Sequence, residues 1–279
     1  MFELQCTVRN CDETLSLSEQ GLTCSNRHHF DRARTGYWNL LQPQDRKSAN
    51  PGDSDDAVLA RHRWLARGHM EGLVQSLRPW ISIADTPPTK TPRTFDLGCG
   101  EGSFGKKLFP KEAAGYCGID LSKRAMKLAA RGWPEATWVL ANADRFLPAQ
   151  SESVDRVVSL FGRRPTEEIE RVLAPGGICI VAVPAAEDLI ELREQVQKEG
   201  IRRNRWESIA EQISQAGLTL ESHKVWSHRV TLDLDAIRDV LAMTYRAVRN
   251  SQRTRMESLE ATEVTLAADL MLFRKATGT

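Results

Sequence analysis

The segment Phe95-Asp96-Leu97-Gly98-Cys99-Gly100-Glu101-Gly102 sets three glycines at alternate positions directly after a short apolar run. A strand that ends in such a turn and continues into a helix brings its backbone close to a ligand, because no Cβ stands in the way. Around it, short apolar strands are predicted at Thr94–Leu97, Tyr116–Ile119, Thr137–Leu140, Val154–Leu160 and Ile178–Val183. Helical runs lie between them, notably Lys123–Arg131 and Glu167–Leu173. Alternation of this kind predicts an α/β chain with a doubly wound parallel sheet. Further on, the pattern predicts an apolar–polar stretch at Leu218–Trp226, a helix at Asp235–Met243 and a final strand at Leu266–Phe273.

Two ligand classes compete for the glycine loop. Gly100-x-Gly102-x-x-Gly105 fits the dinucleotide pattern, with Asp120 at a distance suited to a ribose. The tighter Asp96-x-Gly98-x-Gly100-x-Gly102 resembles the first motif of class I methyltransferases, which bind S-adenosylmethionine. That cofactor presents an ammonium where a dinucleotide presents a pyrophosphate. Asp96 and Glu101 beside the loop favour the cation, so electrostatics points to the sulfonium cofactor. Asp120 ends the second strand, where it can accept hydrogen bonds from ribose hydroxyls. Asn142-Ala143-Asp144 follows the third strand, where such enzymes hold the adenine amino group. Each polar strand end is ordinary alone; three in succession point together to the cofactor and say nothing of the acceptor.

The six cysteines are unevenly placed, with Cys6, Cys11 and Cys24 in the first tenth of the chain and Cys99, Cys117 and Cys179 scattered later. The start of the chain lacks the basic-then-apolar pattern of a signal peptide, and no apolar run reaches the ~18–20 residues of a membrane span. A soluble, cytoplasmic protein without membrane contact is expected, and in a reducing compartment clustered cysteines bind metal more often than they form disulfides. Cys6, Cys11, Cys24 and His28, as C-x4-C followed by C-x3-H, offer the donor set of a closed structural zinc site, with His29 as the fallback ligand. The alternative is a few buried free cysteines acting as small hydrophobes. A catalytic zinc is not expected, because four protein ligands leave no open position.

Between these signals, Ser54 can cap a helix whose first turn carries Asp55 and Asp56. Apolar residues then recur from Val58 to Leu77, and the stretch Thr86–Pro92 reads as a linker.

With the zinc pattern, the Gly-Asp-Ser element and the glycine loop in this order, the chain resembles the RlmA family, bacterial 23S ribosomal RNA (guanine-N1)-methyltransferases. The matching residues are Cys24-x3-His28 with Phe30-Asp31, then Gly36-Tyr37-x-Asn39-Leu40-Leu41, Pro51-Gly52-Asp53-Ser54 and Arg67-Gly68-His69. Asp96 to Gly102, Asp120-Leu121-Ser122 and Pro175-Gly176-Gly177 extend the match over nearly the whole chain. The resemblance implies a small zinc-ribbon-like RNA-recognition domain at residues 1–45, a linker and helical lead-in at 46–92, and a Rossmann-like methyltransferase domain at 93–279. It implies methyl transfer from S-adenosylmethionine to N1 of a guanine in a large-subunit rRNA hairpin. It also implies a homodimer with a basic cleft. By position, Met70, Gly100, Glu101 and Leu189 would contact the cofactor, beside Asp96, Gly98, Asp120 and Asp144.

Two segments depart from the family pattern. Where the family reads aromatic-Ala/Ser-Pro after the fourth strand, this chain has Phe161-Gly162-Arg163-Arg164-Pro165, and the later Met-Thr-Pro is Met243-Thr244-Tyr245. These bear on the target nucleotide and leave the cofactor residues untouched. Phe161 can stack a base or pack in the core, and Arg163 and Asp53 border the substrate by position. His69 and Asp53 are candidate proton acceptors with a structural hydrogen-bonding role as the alternative, and no general base is assigned.

The 38 Lys and Arg against 37 Asp and Glu give a net charge of +1, which excludes an indiscriminately basic or an acidic disordered chain. Local clusters remain at Arg202–Trp206 and Arg246–Arg255, with Arg27 to Trp38 beside the cysteines, each able to meet phosphates or simply face solvent. Two rival readings stand beside rRNA methylation. One is a small-molecule methyltransferase; the other is an RNA- or ribosome-binding module whose methyl-transfer site has decayed.

Overall fold

The computed structural model describes residues 2–45, 52–81, 91–196, 204–244 and 261–277. Its main sheet contains β6 (Thr94–Leu97), β7 (Tyr116–Asp120), β8 (Thr137–Leu140), β9 (Val154–Leu160) and β10 (Leu173–Pro184). These pair in parallel in the order β10-β9-β6-β7-β8. The chain winds outward from β6 to β8, then crosses back to β9 on the other side of β6. Such a reversal opens a crevice at the carboxyl ends of the two central strands, where α/β proteins bind ligands. Helices α3 (Ser103–Leu108), α4 (Lys123–Gly132) and α5 (Thr166–Val172) are crossovers, so the sheet is buried on both faces.

The antiparallel β11 (Leu218–Leu232) and β12 (Thr262–Lys275) close one edge, with β12 inserted against β10. Helices α6 (Ile190–Val196) and α7 (Trp206–Gln215), which the sequence reading did not anticipate, connect β10 to β11. The predicted strands and helices appear with ends moved by a few residues. The largest change is at β11 and β12, whose hairpin runs well past the stretches expected.

The amphipathic run after Ser54 is two helices, α1 (Asp55–Ala66) and α2 (Glu71–Ile81). Gly68, at φ +81°, supplies the left-handed residue that ends the first. Ser54 caps α1 as expected, its hydroxyl accepting the Ala57 N–H at 3.2 Å. Helix α8 (Leu234–Thr244) packs against α1. The Arg63 guanidinium grips the buried Asp239 through both carboxylate oxygens, and Arg67 reaches Asp233.

The cysteine segment forms a four-stranded antiparallel sheet of β1 (Leu4–Gln5), β2 (Thr14–Ser18), β3 (Gly21–Thr23) and β4 (His29–Phe30). The segment's last strand, β5 (Trp38–Asn39), lies outside that sheet and pairs in parallel with β8 as the eighth strand of the main sheet. Phe2 meets Phe95 edge to face at 5.0 Å, and Leu4, Leu22 and Phe30 share one apolar cluster with the strands of the main sheet. The segment has too few large apolar side chains for a core of its own, so it borrows one. Among the described residues, no helix is long and apolar enough to cross a membrane.

Arg156, 1% exposed in β9, donates to the Thr94 hydroxyl and the Ile81 carbonyl and pairs with Glu112. It ties the sheet to α2, and removing it strands Glu112 and a buried carbonyl. Arg156→Ala is expected to cost about 3 kcal/mol of unfolding free energy, measured by urea denaturation of the full chain. A cost within error of zero would show that the site relaxes without it.

Candidate functional site

Strand β6 delivers Asp96 to the glycine loop, where it is 2% exposed and accepts a hydrogen bond from the Tyr116 hydroxyl at 2.5 Å. Burial pushes its carboxyl up to about 7, against the opposing pull of the Tyr116 hydrogen bond. Gly98 and Gly100 follow at φ +68° and +58°, conformations that a side chain would strain. The Asp120 carboxylate accepts the Gly100 N–H at 3.0 Å and the Ser122 N–H at 2.8 Å, fastening the loop to the end of β7. Burial raises the Asp120 carboxyl too, with these two backbone donors working against it.

A cleft opens above the loop, lined by Asp96, Gly98, Gly100 and Glu101 on one side and by Arg61 and Phe161 on the other. Its floor is the contact between the ends of β6 and β9. A Cβ on Gly162 would lie 2.2 Å from the Leu97 carbonyl oxygen, so the departure from Ala or Ser fits the close approach of these two strand ends. Phe161 holds φ +60° and is 38% exposed, with its ring 6.2 Å from that of Phe104. Its ring therefore borders the cleft mouth instead of filling the core.

The dinucleotide alternative loses its last two glycines. A Cβ on Gly102 would sit 2.4 Å from the Trp138 ring, and one on Gly105 would meet the Tyr116 hydroxyl at 2.0 Å. Both are glycine because aromatic rings pack on them from inside the protein. Gly98 and Gly100 remain in the lining of the cleft.

Helix α1 supplies two residues that sequence reasoning missed. Arg61 pairs with Asp53 at 3.1 Å, and His62 Nδ1 lies 3.3 Å from Glu101 Oε2. The signal was available: Arg61 shares a helical face with the buried Val58 and Leu65, an unusual place for an arginine. Asp53 is carried to the cleft by Gly52, whose missing side chain lets the backbone rest on Ser122; a Cβ there would be 2.8 Å from the Ser122 nitrogen.

The remaining expected residues are placed differently. Asp144 sits beyond the end of β8 and is 3.5 Å from Arg163, whose side chain is 73% exposed. Met70 packs against the helical core, and Leu189 is buried with φ +52° and its N–H on the Thr265 carbonyl. Neither lines the cleft. The His69 ring lies tilted against Trp64 with centroids 4.5 Å apart, and burial lowers its pKa. The described residues at Arg202–Trp206 are Asn204, Arg205 and Trp206; the cluster Arg246–Arg255 and most of the Thr86–Pro92 stretch lie outside the described residues.

At the other end, Cys6, Cys11, Cys24 and His28 bring one ligand atom each to within 4.8 Å of all the others. His28 Nδ1 faces the sulfurs of Cys6 at 3.5 Å and Cys24 at 3.4 Å. His29 turns away, its Nε2 on the Gln20 carbonyl. The Asn26 amide donates to Cys11 Sγ at 3.4 Å and lowers that thiol, whereas burial raises Cys6. Sulfurs packed this closely become thiolates together only around a cation, so three thiols and an imidazole fit zinc.

The cleft fits S-adenosylmethionine on similar grounds. It has a glycine cradle, an acidic lining, and a buried Glu101 Oε1 without a hydrogen-bond partner among the described residues.

Comparison with known proteins agrees at both ends. Residues 4–49 match the family model described as RlmA, N-terminal, a zinc ribbon, and residues 95–177 match a methyltransferase domain. The chain is 30% identical over 239 residues to the 23S rRNA (guanine(748)-N(1))-methyltransferase of Streptomyces fradiae, covering 84% of this chain and 82% of that one. It is 28% identical to YxjB of Bacillus subtilis strain 168, over 95% of each. The crystal structure of the YcgJ protein, also of B. subtilis, superposes with a TM-score of 0.53 at 15% identity, covering 75% of this chain and all of that one. At that identity the likeness concerns the fold.

Two outcomes follow for the isolated protein. Asp96 ionises above its unfolded range, so the stability it contributes is complete below about pH 4 and is lost as pH rises toward about 7. Ionisation at the same time suits a cationic ligand, so S-adenosylmethionine affinity should rise through pH 7 with release of a proton, and Asp96→Asn should flatten that rise in calorimetry. Elemental analysis should find about one zinc per chain, and Cys24→Ser should lose it.

Proposed function

We proceed from the fact that this chain belongs to the RlmA family of 23S rRNA (guanine-N1)-methyltransferases, and we propose that it methylates N1 of a guanine in a large-subunit rRNA hairpin. The observation that carries this reading is an acidic glycine cradle opening directly onto an exposed aromatic ring, Phe161, in a chain that also holds a four-ligand metal cluster. S-adenosylmethionine, when bound, supplies an electrophilic methyl group. The chain's own residues then have to align it and exclude competitors for it.

In this reading Asp96, Gly98, Gly100 and Glu101 hold the donor's amino-acid end, Asp120 its ribose and Asp144 its adenine, with Met70 and Leu189 as outer contacts. Phe161 stacks on the guanine, which must leave its helix or loop to enter the cleft. Arg163, held near Asp144 and largely exposed, meets the RNA backbone beside it. Asp53 borders the same mouth from α1's lead-in loop. The guanine N1 must give up its proton, to water or to a side chain, before or as it takes the methyl group, and the chain's part is to hold that nitrogen in line with the donor.

The zinc-bearing segment, residues 1–45 in this reading, engages the hairpin with Arg27, Arg32 and Arg34. Residues 46–92 lead in to a methyltransferase domain at 93–279. The reading extends to a cytoplasmic enzyme and a homodimer, which sedimentation measures directly.

Mapping of 23S rRNA by primer extension, with and without the protein, should give one new stop at a guanine. Absence of any methyl incorporation into rRNA from a strain lacking the gene would overturn the proposal in favour of a small-molecule acceptor. Phe161→Ala should lower kcat/KM for RNA by roughly ten- to a hundredfold, far more than it weakens cofactor binding.

A further inference from the structure

The cleft is acidic, yet its expected ligand is not simply a cation. The amino-acid end of S-adenosylmethionine carries a carboxylate on the same carbon as its ammonium. Asp96 and Glu101 in the lining, with Asp120 behind them, suit the ammonium and the sulfonium and repel the carboxylate. Among the described residues, Arg61 is the one cationic side chain lining this cleft.

Its placement is specific. The position of a Cβ on Gly100 lies 3.5 Å from Arg61 Nη1 and 3.8 Å from its Cδ, so the guanidinium stands directly over the loop. Nη2 is held by the Asp53 carboxylate at 3.1 Å, on a lead-in loop that Gly52 seats against Ser122. That pairing fixes the plane of the fork and leaves the Nη1 edge toward the glycine backbone. Glu101, the residue next to Gly100, is 6% exposed. Its Oε2 accepts the Ser103 hydroxyl at 2.8 Å, and its buried Oε1 has no hydrogen-bond partner among the described residues. An anion receptor and a cation receptor thus flank one glycine, the spacing that a zwitterionic carbon requires.

We propose that Arg61 of α1 receives the carboxylate of the methyl donor while Glu101 Oε1 receives its ammonium, so that α1 forms the upper wall of the cofactor site. Asp53 is then a positioning residue for Arg61. This inference rests on reading the cleft as the S-adenosylmethionine site and goes further by assigning the recognition of the amino-acid group to a helix outside the glycine-loop motif.

The test is calorimetric binding of S-adenosylmethionine and of its decarboxylated form, which lacks only the carboxylate, to the full zinc-loaded chain. The wild type should prefer the intact cofactor by roughly ten- to a hundredfold, as expected of a charge-assisted pair in a sheltered cleft. Arg61→Gln should reduce that preference to within about threefold by weakening intact-cofactor binding alone. Arg61→Lys, which keeps the charge and loses the fork, should fall between, and it carries the test if the glutamine variant melts early. Asp53→Asn should weaken the intact cofactor by a few fold and leave the decarboxylated form unchanged. An undiminished preference in Arg61→Gln, or equal weakening of both forms, overturns the assignment. Wild-type protein that binds neither form would overturn the cofactor reading itself.

Discussion

The meeting of β6 and β9 at their carboxyl ends sets the conditions for the rest of the site. Gly162 rests on the Leu97 carbonyl with no room for a side chain, and Gly98 lies against the same backbone. This contact turns Phe161 outward with a left-handed backbone and leaves the cleft between the aromatic ring and the glycine loop. Of the two arginines that follow, Arg163 turns its side chain out to solvent and Arg164 folds back onto the Gly162 carbonyl. A residue that looked like a loss in the sequence is therefore a close strand-to-strand fit.

Behind that contact, aromatic rings replace what glycines give up. Trp138 occupies the space left by Gly102 and Gly118, and Tyr116 occupies the space left by Gly105. Tyr116 also supplies the hydrogen bond that steadies the buried Asp96. The loop is rigid from below and open from above, which is what a preorganised receptor needs.

Much of this was legible in the sequence, for identifiable reasons. The central strands were readable because continuous apolar runs bounded by Gly, Pro and Asp admit few alternatives. The cysteine cluster was readable because its donor atoms are uncommon. The break at Gly68 was missed because the apolar period continues across it in register. Arg61 and His62 lie outside the glycine motif, on a helix some forty residues before it that only the fold brings over the loop. Trp38 read as part of an RNA-facing aromatic and basic segment, yet it is 5% exposed in β5. Nothing local distinguishes a two-residue edge strand from a loop, since its partner lies far along the chain.

That partner relation has a kinetic side. Pairing Trp38 with Val139 closes a loop of about a hundred residues, and the cost of closure grows with the logarithm of that length. Long-range pairings of this kind form late, after the local helices and their neighbouring strands. The metal-binding segment is made before the strand it pairs with, and that pairing must wait for the strand. A cluster of four ligands within a stretch of some two dozen residues closes only a short loop when it takes an ion. Local closure around zinc lets the segment take shape ahead of the long-range pairing that seats the eighth strand at the sheet edge.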